Sequence, residues 1–323
     1  IYAESEDRCL ADLRSTDPRH DKIRIEQTKD GLLRDAYKWV LGNDEFQRWR
    51  FDEESTLLWV KGDPGKGKTM LLCGIIDELD KSIASTDLLY FFFCQAADAR
   101  INSATTTLRG LIYLLVKQQP SLDKHVRKRY EGVGKQLFED VNAWTALSEI
   151  LTDILRDPDL QSTFLIIDAL DECVTGLPLL LAFIAQQSCT PSRVKWLVSS
   201  RNWPNIEKRL ELATRKVRLS LELSISAAVG VYIRSEVDRL AQIQTYDQKT
   251  RDDVSLYLSS NANDTFLWVA LVCQGLREVP CELVPAKLRV FPPGRSRERP
   301  AYETAQVPTE QQRGWSSSCQ KQR

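Results

Sequence analysis

Residues 62–69 read Gly-Asp-Pro-Gly-Lys-Gly-Lys-Thr and complete the pattern G-x-x-x-x-G-K-[ST]. The residue types point to one kind of chemistry, the cradling of a phosphate chain. Gly62, Gly65 and Gly67 let the backbone curl so that successive N–H groups face inward. Lys68 is placed to reach β- and γ-phosphates, and Thr69 offers a hydroxyl to Mg²⁺. The whole stretch Gly62, Asp63, Pro64, Gly65, Lys66, Gly67, Lys68, Thr69 and Met70 is expected to surround the phosphates of a nucleotide. Its flanks have the required form. An apolar run, Thr56 to Val60, precedes the loop, and Met70 to Ile76 follows as the start of a helix whose positive end adds to the anion site.

A second constellation lies about a hundred residues downstream. Phe164-Leu-Ile-Ile-Asp168 is an apolar strand ending in an acid, and an Asp at the carboxyl tip of a parallel strand faces the ligand crevice. Asp168 is the expected partner of Mg²⁺, through water, because that ion gives up its hydration shell reluctantly. Asp171 and Glu172 follow, and one of them is expected to orient or deprotonate a water attacking the γ-phosphate. Solvated loop acids are the plainer alternative. A further run, Lys195 to Ser199, ends in Ser200 and Arg201, at the same rim. Arg201 there can sense the γ-phosphate; an ordinary surface arginine closing a strand is the equally open alternative.

These groups need a sheet to hold them. Five apolar runs are continuous rather than alternating, as in strands buried on both faces: Thr56–Lys61, Asp87–Cys94, Thr163–Asp168, Val194–Ser199 and Lys216–Leu221. Helical patterns separate them over Thr69–Leu79, Ser103–Gln118, Asn142–Leu155, Leu177–Gln187 and Trp203–Leu210. The alternation predicts an α/β fold, a three-layer α/β/α P-loop NTPase with a five-stranded parallel sheet. Residues 1–50 read as a helical flank and 51–222 as the nucleotide-binding domain. Residues 223–293 read as a small helical lid subdomain, with Val229, Ile233, Val237 and Leu240 on one face. Residues 294–323 have no apolar period and read as a disordered tail.

The whole chain narrows the function classes. It has 323 residues, is 42% hydrophobic and carries a net charge of −1, which argues for neither nucleic acid nor an acidic membrane surface as partner. Its eight cysteines form no C-x-x-C pair and there are two histidines, so a zinc site is not expected. Buried free thiols in a reducing, cytoplasmic setting fit better. No apolar run approaches the ~20 residues of a membrane helix. The sequence begins at Ile1 rather than Met, as a fragment would.

The combination resembles the NACHT class of STAND P-loop NTPases. The likeness sharpens at Phe164-Leu-Ile-Ile-Asp-Ala-Leu-Asp-Glu-Cys173. It sharpens again against the NACHT proteins of filamentous fungi related to vegetative incompatibility, at Leu13-Arg-Ser-Thr-Asp-Pro-Arg19, at Gly62 to Leu71 and at Thr265-Phe-Leu-Trp-Val-Ala270. It covers roughly residues 9–293. The resemblance implies ATP or GTP with Mg²⁺ as cofactors, Lys68 and Thr69 on phosphate and metal, and Asp168 on the metal. It implies Asp171 and Glu172 near the water, and Arg201 as sensor. It further implies a slow NTP-hydrolysing switch that homo-oligomerises when intact, with N-terminal effector and C-terminal repeat domains that this chain lacks. Where relatives carry an Asn-Pro-like turn this sequence has Asn263-Asp264-Thr265. Three other readings remain: a metabolic enzyme such as a small-molecule kinase, with Arg127-Lys128-Arg129 as a candidate lid cluster; a GTPase, without the N-K-x-D sequence that reads guanine; and a scaffold with a dead pocket.

Overall fold

A computed structural model describes residues 2–28, 34–189 and 193–294. Its centre is a five-stranded sheet, β1 (Leu57–Lys61), β2 (Leu88–Phe93), β3 (Thr163–Asp168), β4 (Val194–Ser200) and β5 (Lys216–Ser220), in the order β2-β3-β4-β1-β5. Every pairing is parallel. All five expected runs form strands, with ends within a residue or so of expectation. The reason is burial on both faces: all six residues of β3 are buried, as are the first four of β1. Strand order was not readable from spacing. β4 lies between the strand that feeds the phosphate loop and the strand that carries Asp168. The register sets Val60 beside Ser199 and Lys61 beside Ser200, with Ile167 beside Val198. The carboxyl tips of β1, β4 and β3 therefore share one rim.

Two apolar clusters cover the two faces. One holds Leu108, Leu111 and Ile112 from the helix Ala104–Gln118, Leu147 and Leu151 from Ala143–Leu155, and Leu180 and Ile184 from Leu177–Ser188. The other holds Leu72, Ile75 and Ile76 from the helix Lys68–Ser82, with Phe46 and Trp49 from Asp44–Phe51. That second cluster continues into the helices after β5, Ser226–Gln244, Gln248–Asn261 and Phe266–Leu276. None of the described helices is long and apolar enough to cross a membrane.

Two regions differ from the expectations. The stretch between Gln118 and Asn142, without an assigned element, contains a helix over Asp123–Val133 that buries only Val126. Its sequence is strongly charged, and one buried residue marks its apolar side. Ion pairs hold it instead: Arg127 with Asp123, and Arg129 with Asp153 at 3.2 Å. The N-terminal region, expected as a helical flank over residues 1–50, is broken into short pieces. It comprises Tyr2–Leu13, Pro18–Thr28, Arg34–Tyr37, a 3₁₀ turn at Lys38–Gly42 and Asp44–Phe51. The disorder expected for 294–323 concerns, from residue 295 on, positions outside the described residues.

The break after Leu13 has a physical cause. Arg109 donates from Nε to the Leu13 carbonyl (2.9 Å) and from Nη2 to the Asp12 carbonyl (2.7 Å), closing the first helix. Asp17 then takes both Nε (2.9 Å) and Nη2 (2.6 Å) of Arg19. Lys22 ties the second helix to the phosphate-loop helix through Asp77 at 2.7 Å. The Arg19 hydrogen bonds hold the Asp17 carboxyl down at about 2. A depressed carboxylate contributes stability above its unfolded pKa of 3.8 that is lost as pH falls toward 2. Asp17→Asn should therefore destabilise by about 1–2 kcal/mol at pH 7, Arg19 being half-exposed. The difference from wild type should shrink steadily from pH 4 to pH 2.5 in urea denaturation. A constant difference across that range would contradict the assignment.

Candidate functional site

The phosphate loop leaves β1 at Lys61 and enters the helix Lys68–Ser82. Gly65 and Gly67 stand at φ +81° and +76°, which only glycine adopts without strain. Both also lack room for a side chain. A Cβ at Gly67 would sit 2.8 Å from the Phe266 ring, and one at Gly65 would sit 2.8 Å from Thr265 Cγ2. The Lys68 ammonium is folded into its own loop, donating to the carbonyls of Gly62 (2.5 Å) and Asp63 (3.0 Å). Burial lowers its pKa, opposed by the negative charges of Asp171 and Asp168. Pro64 to Met70 line the open cleft; Gly62 and Asp63 stand behind it.

Asp168 closes β3 and is buried. Ser199 Oγ donates to its Oδ1 at 2.5 Å and accepts the Ala169 N–H at 2.8 Å. Ala169 is held at φ +54°, a left-handed conformation costly for any residue with a Cβ. Burial pushes the Asp168 carboxyl up to about 6, against hydrogen bonds from Ser199 and Thr69 and the charge of Lys68. A buried carboxylate beside a threonine hydroxyl, with its charge incompletely compensated, is a donor set that suits Mg²⁺. Thr69 and Asp168 are the residues that would hold the ion, which would neutralise phosphate charge there.

The two acids after Asp168 point apart, because β3 runs between β2 and β4 and the 3₁₀ turn Leu170–Glu172 splits them. Asp171 turns to β4. It accepts the Arg201 backbone N–H at 2.9 Å and pairs with Arg201 Nε at 2.8 Å. Glu172 turns to β2 and accepts the Ala96 N–H at 3.1 Å. Arg201 thus stands at the rim as expected, but with its charge directed to Asp171.

The cleft has a volume of about 660 Å³ and extends well past the phosphate loop. Asp168, Asp171, Glu172 and Arg201 line one end. Tyr37, Trp39, Tyr232 and Phe266 also line the cleft, none of which sequence reasoning singled out for the site. Tyr232 and Phe266 meet edge to face at 5.4 Å between centroids. The segment Asn263-Asp264-Thr265 turns through two left-handed residues, Asn263 at φ +46° and Asp264 at +54°. It delivers the Asn263 carbonyl to Lys66 Nζ (3.3 Å) and the Leu267 N–H to the Gly65 carbonyl (3.3 Å).

A family model described as Nephrocystin 3, N-terminal, matches residues 35–201. The vegetative incompatibility protein HET-E-1 of Podospora anserina is 60% identical over 294 residues, covering 90% of this chain and 22% of that protein. The chain thus spans about a fifth of that relative's length. Among solved structures, a Walker-type ATPase of Pyrococcus abyssi aligns with a TM-score of 0.43 at 12% identity, over 76% of this chain and 71% of that one. The Drosophila ORC bound to DNA aligns at 0.43 and 15% identity, over 74% and 63%. The chain belongs to the Nephrocystin 3, N-terminal family, as a NACHT-like P-loop NTPase module similar to the fungal vegetative-incompatibility proteins.

Proposed function

We propose that the module binds ATP or GTP with Mg²⁺ in this cleft, hydrolyses it slowly, and acts as the nucleotide-controlled switch of a longer cytoplasmic protein. Its role there is to govern homo-oligomerisation in non-self recognition or programmed cell death. The observation that supports this best is the convergence on one rim of Lys68, Thr69, Asp168 and Arg201, in a cleft also lined by Tyr37, Trp39, Tyr232 and Phe266. Lys68 and the loop N–H groups hold the phosphates. Asp171 holds Arg201 ready beside them, and Glu172 is the acid left to orient water. Slow turnover fits a cleft in which Arg201, beside Asp171, is already engaged by a carboxylate. The kinase reading loses its candidate lid. None of Arg127, Lys128 and Arg129 lines the cleft, and Arg127 and Arg129 are paired on their own surface.

Calorimetric titration of ATP and GTP with and without Mg²⁺ tests the proposal. Wild type should bind at least one of them, more tightly with the ion by about tenfold or more. Asp168→Asn should bind equally with and without it. Absence of binding to either nucleotide, or an undiminished Mg²⁺ effect in the variant, would overturn the assignment.

A further inference from the structure

The phosphate loop is gripped from behind by residues with no part in the phosphate motif. Glu222 is the second residue of the short helix Leu221–Ser224, where the chain leaves β5 for the helices beyond. Its Oε1 accepts the backbone N–H of Asp63 at 2.8 Å and Asn202 Nδ2 at 2.9 Å. Asn202 Nδ2 also reaches Asp63 Oδ1 at 3.1 Å. The other oxygen, Oε2, accepts Ser220 Oγ at 2.8 Å. Burial works against the charge of Glu222, yet these donors bring its pKa below the ordinary value, so the group is an anion at neutral pH. Leu221 fills the neighbouring space: a Cβ at Gly62 would lie 3.1 Å from Leu221 Cβ.

The two residues so held, Gly62 and Asp63, are also those whose carbonyls receive the Lys68 ammonium. For Lys68 to turn toward a phosphate it must leave those carbonyls while the loop keeps its shape. We propose that Glu222, supported by Asn202 and Leu221, is a positioning residue for the phosphate loop. It fixes the Gly62–Asp63 arm and thereby couples nucleotide affinity to the junction at which the sheet passes into the helical segment. The coupling is physical rather than remote. The same segment reaches the middle of the loop through Thr265 and Phe266, so the loop is held at both places by one continuous stretch of chain.

The link to affinity rests on the nucleotide-binding reading; the clamp itself does not, and the test separates them. Amide hydrogen exchange on the nucleotide-free protein reads the clamp. The Asp63 N–H should be protected in wild type and exchange at least about tenfold faster in Glu222→Ala. Glu222→Gln keeps an acceptor oxygen for that N–H and should stay close to wild type. Titration with Mg-nucleotide reads the coupling. Glu222→Ala should weaken affinity about tenfold, Glu222→Gln by less than about threefold, and Glu222→Ala with Asn202→Ala no more than Glu222→Ala alone. If Glu222→Ala fails to fold, Asn202→Ala carries the same comparison with a smaller loss. Unchanged Asp63 exchange in these variants overturns the clamp. Faster exchange with unchanged affinity overturns the coupling. A wild-type protein that binds no nucleotide refutes both the functional reading and the coupling, while exchange still decides the clamp.

Discussion

Lys68→Ala should lower affinity for Mg-nucleotide by about a hundredfold or more while the protein stays folded. The ammonium is part-buried at the floor of the cleft, and its present partners are two carbonyls of its own loop. A phosphate chain bound there without it would place anionic oxygens near Asp168 and Asp171 with no cation from the loop. Removing one member of such a desolvated pair costs about 3–5 kcal/mol, and each 1.4 kcal/mol is a factor of ten. The empty protein loses little by the change, because the Gly62 and Asp63 carbonyls give up a donor whose charge was costly to bury. Calorimetry on the variant, with circular dichroism to show the fold, is the check. Affinity within threefold of wild type would remove Lys68 from the phosphate site.

The second large effect is a non-additive pair. The Asp171 side chain is 3% exposed and takes both the backbone and the guanidinium of Arg201, which is itself 40% exposed. Arg201→Ala should leave that carboxylate buried with the Arg201 N–H as its remaining donor. The cost should be about 1–3 kcal/mol, less than for a fully buried pair because water screens the arginine. Asp171→Asn alone should cost less, since the amide oxygen keeps the backbone hydrogen bond. Once Asp171 is neutral, adding Arg201→Ala should cost almost nothing further. Urea denaturation of the two single variants and the double variant gives the coupling energy, expected to be about 1–2 kcal/mol. Simple additivity would show that the pair is incidental. On the proposed function, hydrolysis should fall in all three variants, because Asp171 would act by orienting Arg201.

Much of the framework could be read from residue order because its signals are local. A parallel strand covered on both sides must be apolar without interruption, so Thr163–Asp168 announced itself, and the phosphate loop carries its geometry in consecutive residues. What could not be read depends on residues far apart in the chain. Asp171 and Arg201 meet because β4 lies next to β3, and no spacing specifies that order. Glu222 looks like any acid at the start of a helix; its role depends on β5 lying beside β1, which brings it behind Asp63. Tyr37, Tyr232 and Phe266 carry side chains equally at home in a core, and only the fold directs them toward the cleft. Thr265-Phe266 belonged to a stretch that carried the family likeness. Its contact with Gly65 and Gly67 was still invisible, because two left-handed residues at Asn263 and Asp264 aim it.

The apolar cluster beneath the phosphate-loop helix runs without a break from Leu72 and Ile75 through Val229 and Ile233 to Val269, Cys273 and Leu276. That continuity limits what kind of motion nucleotide can drive. Swinging the helical segment away from the sheet as a rigid lever would part this seam and wet a row of side chains, each worth about 1.5–3 kcal/mol. The differential affinity of a ligand for two states commonly supplies only about 1–3 kcal/mol. Sliding along the seam exposes far less, so a displacement driven by nucleotide on the proposed reading would be of the shear kind. On the proposed switch reading, the nucleotide state would pass onward as a change of surface register.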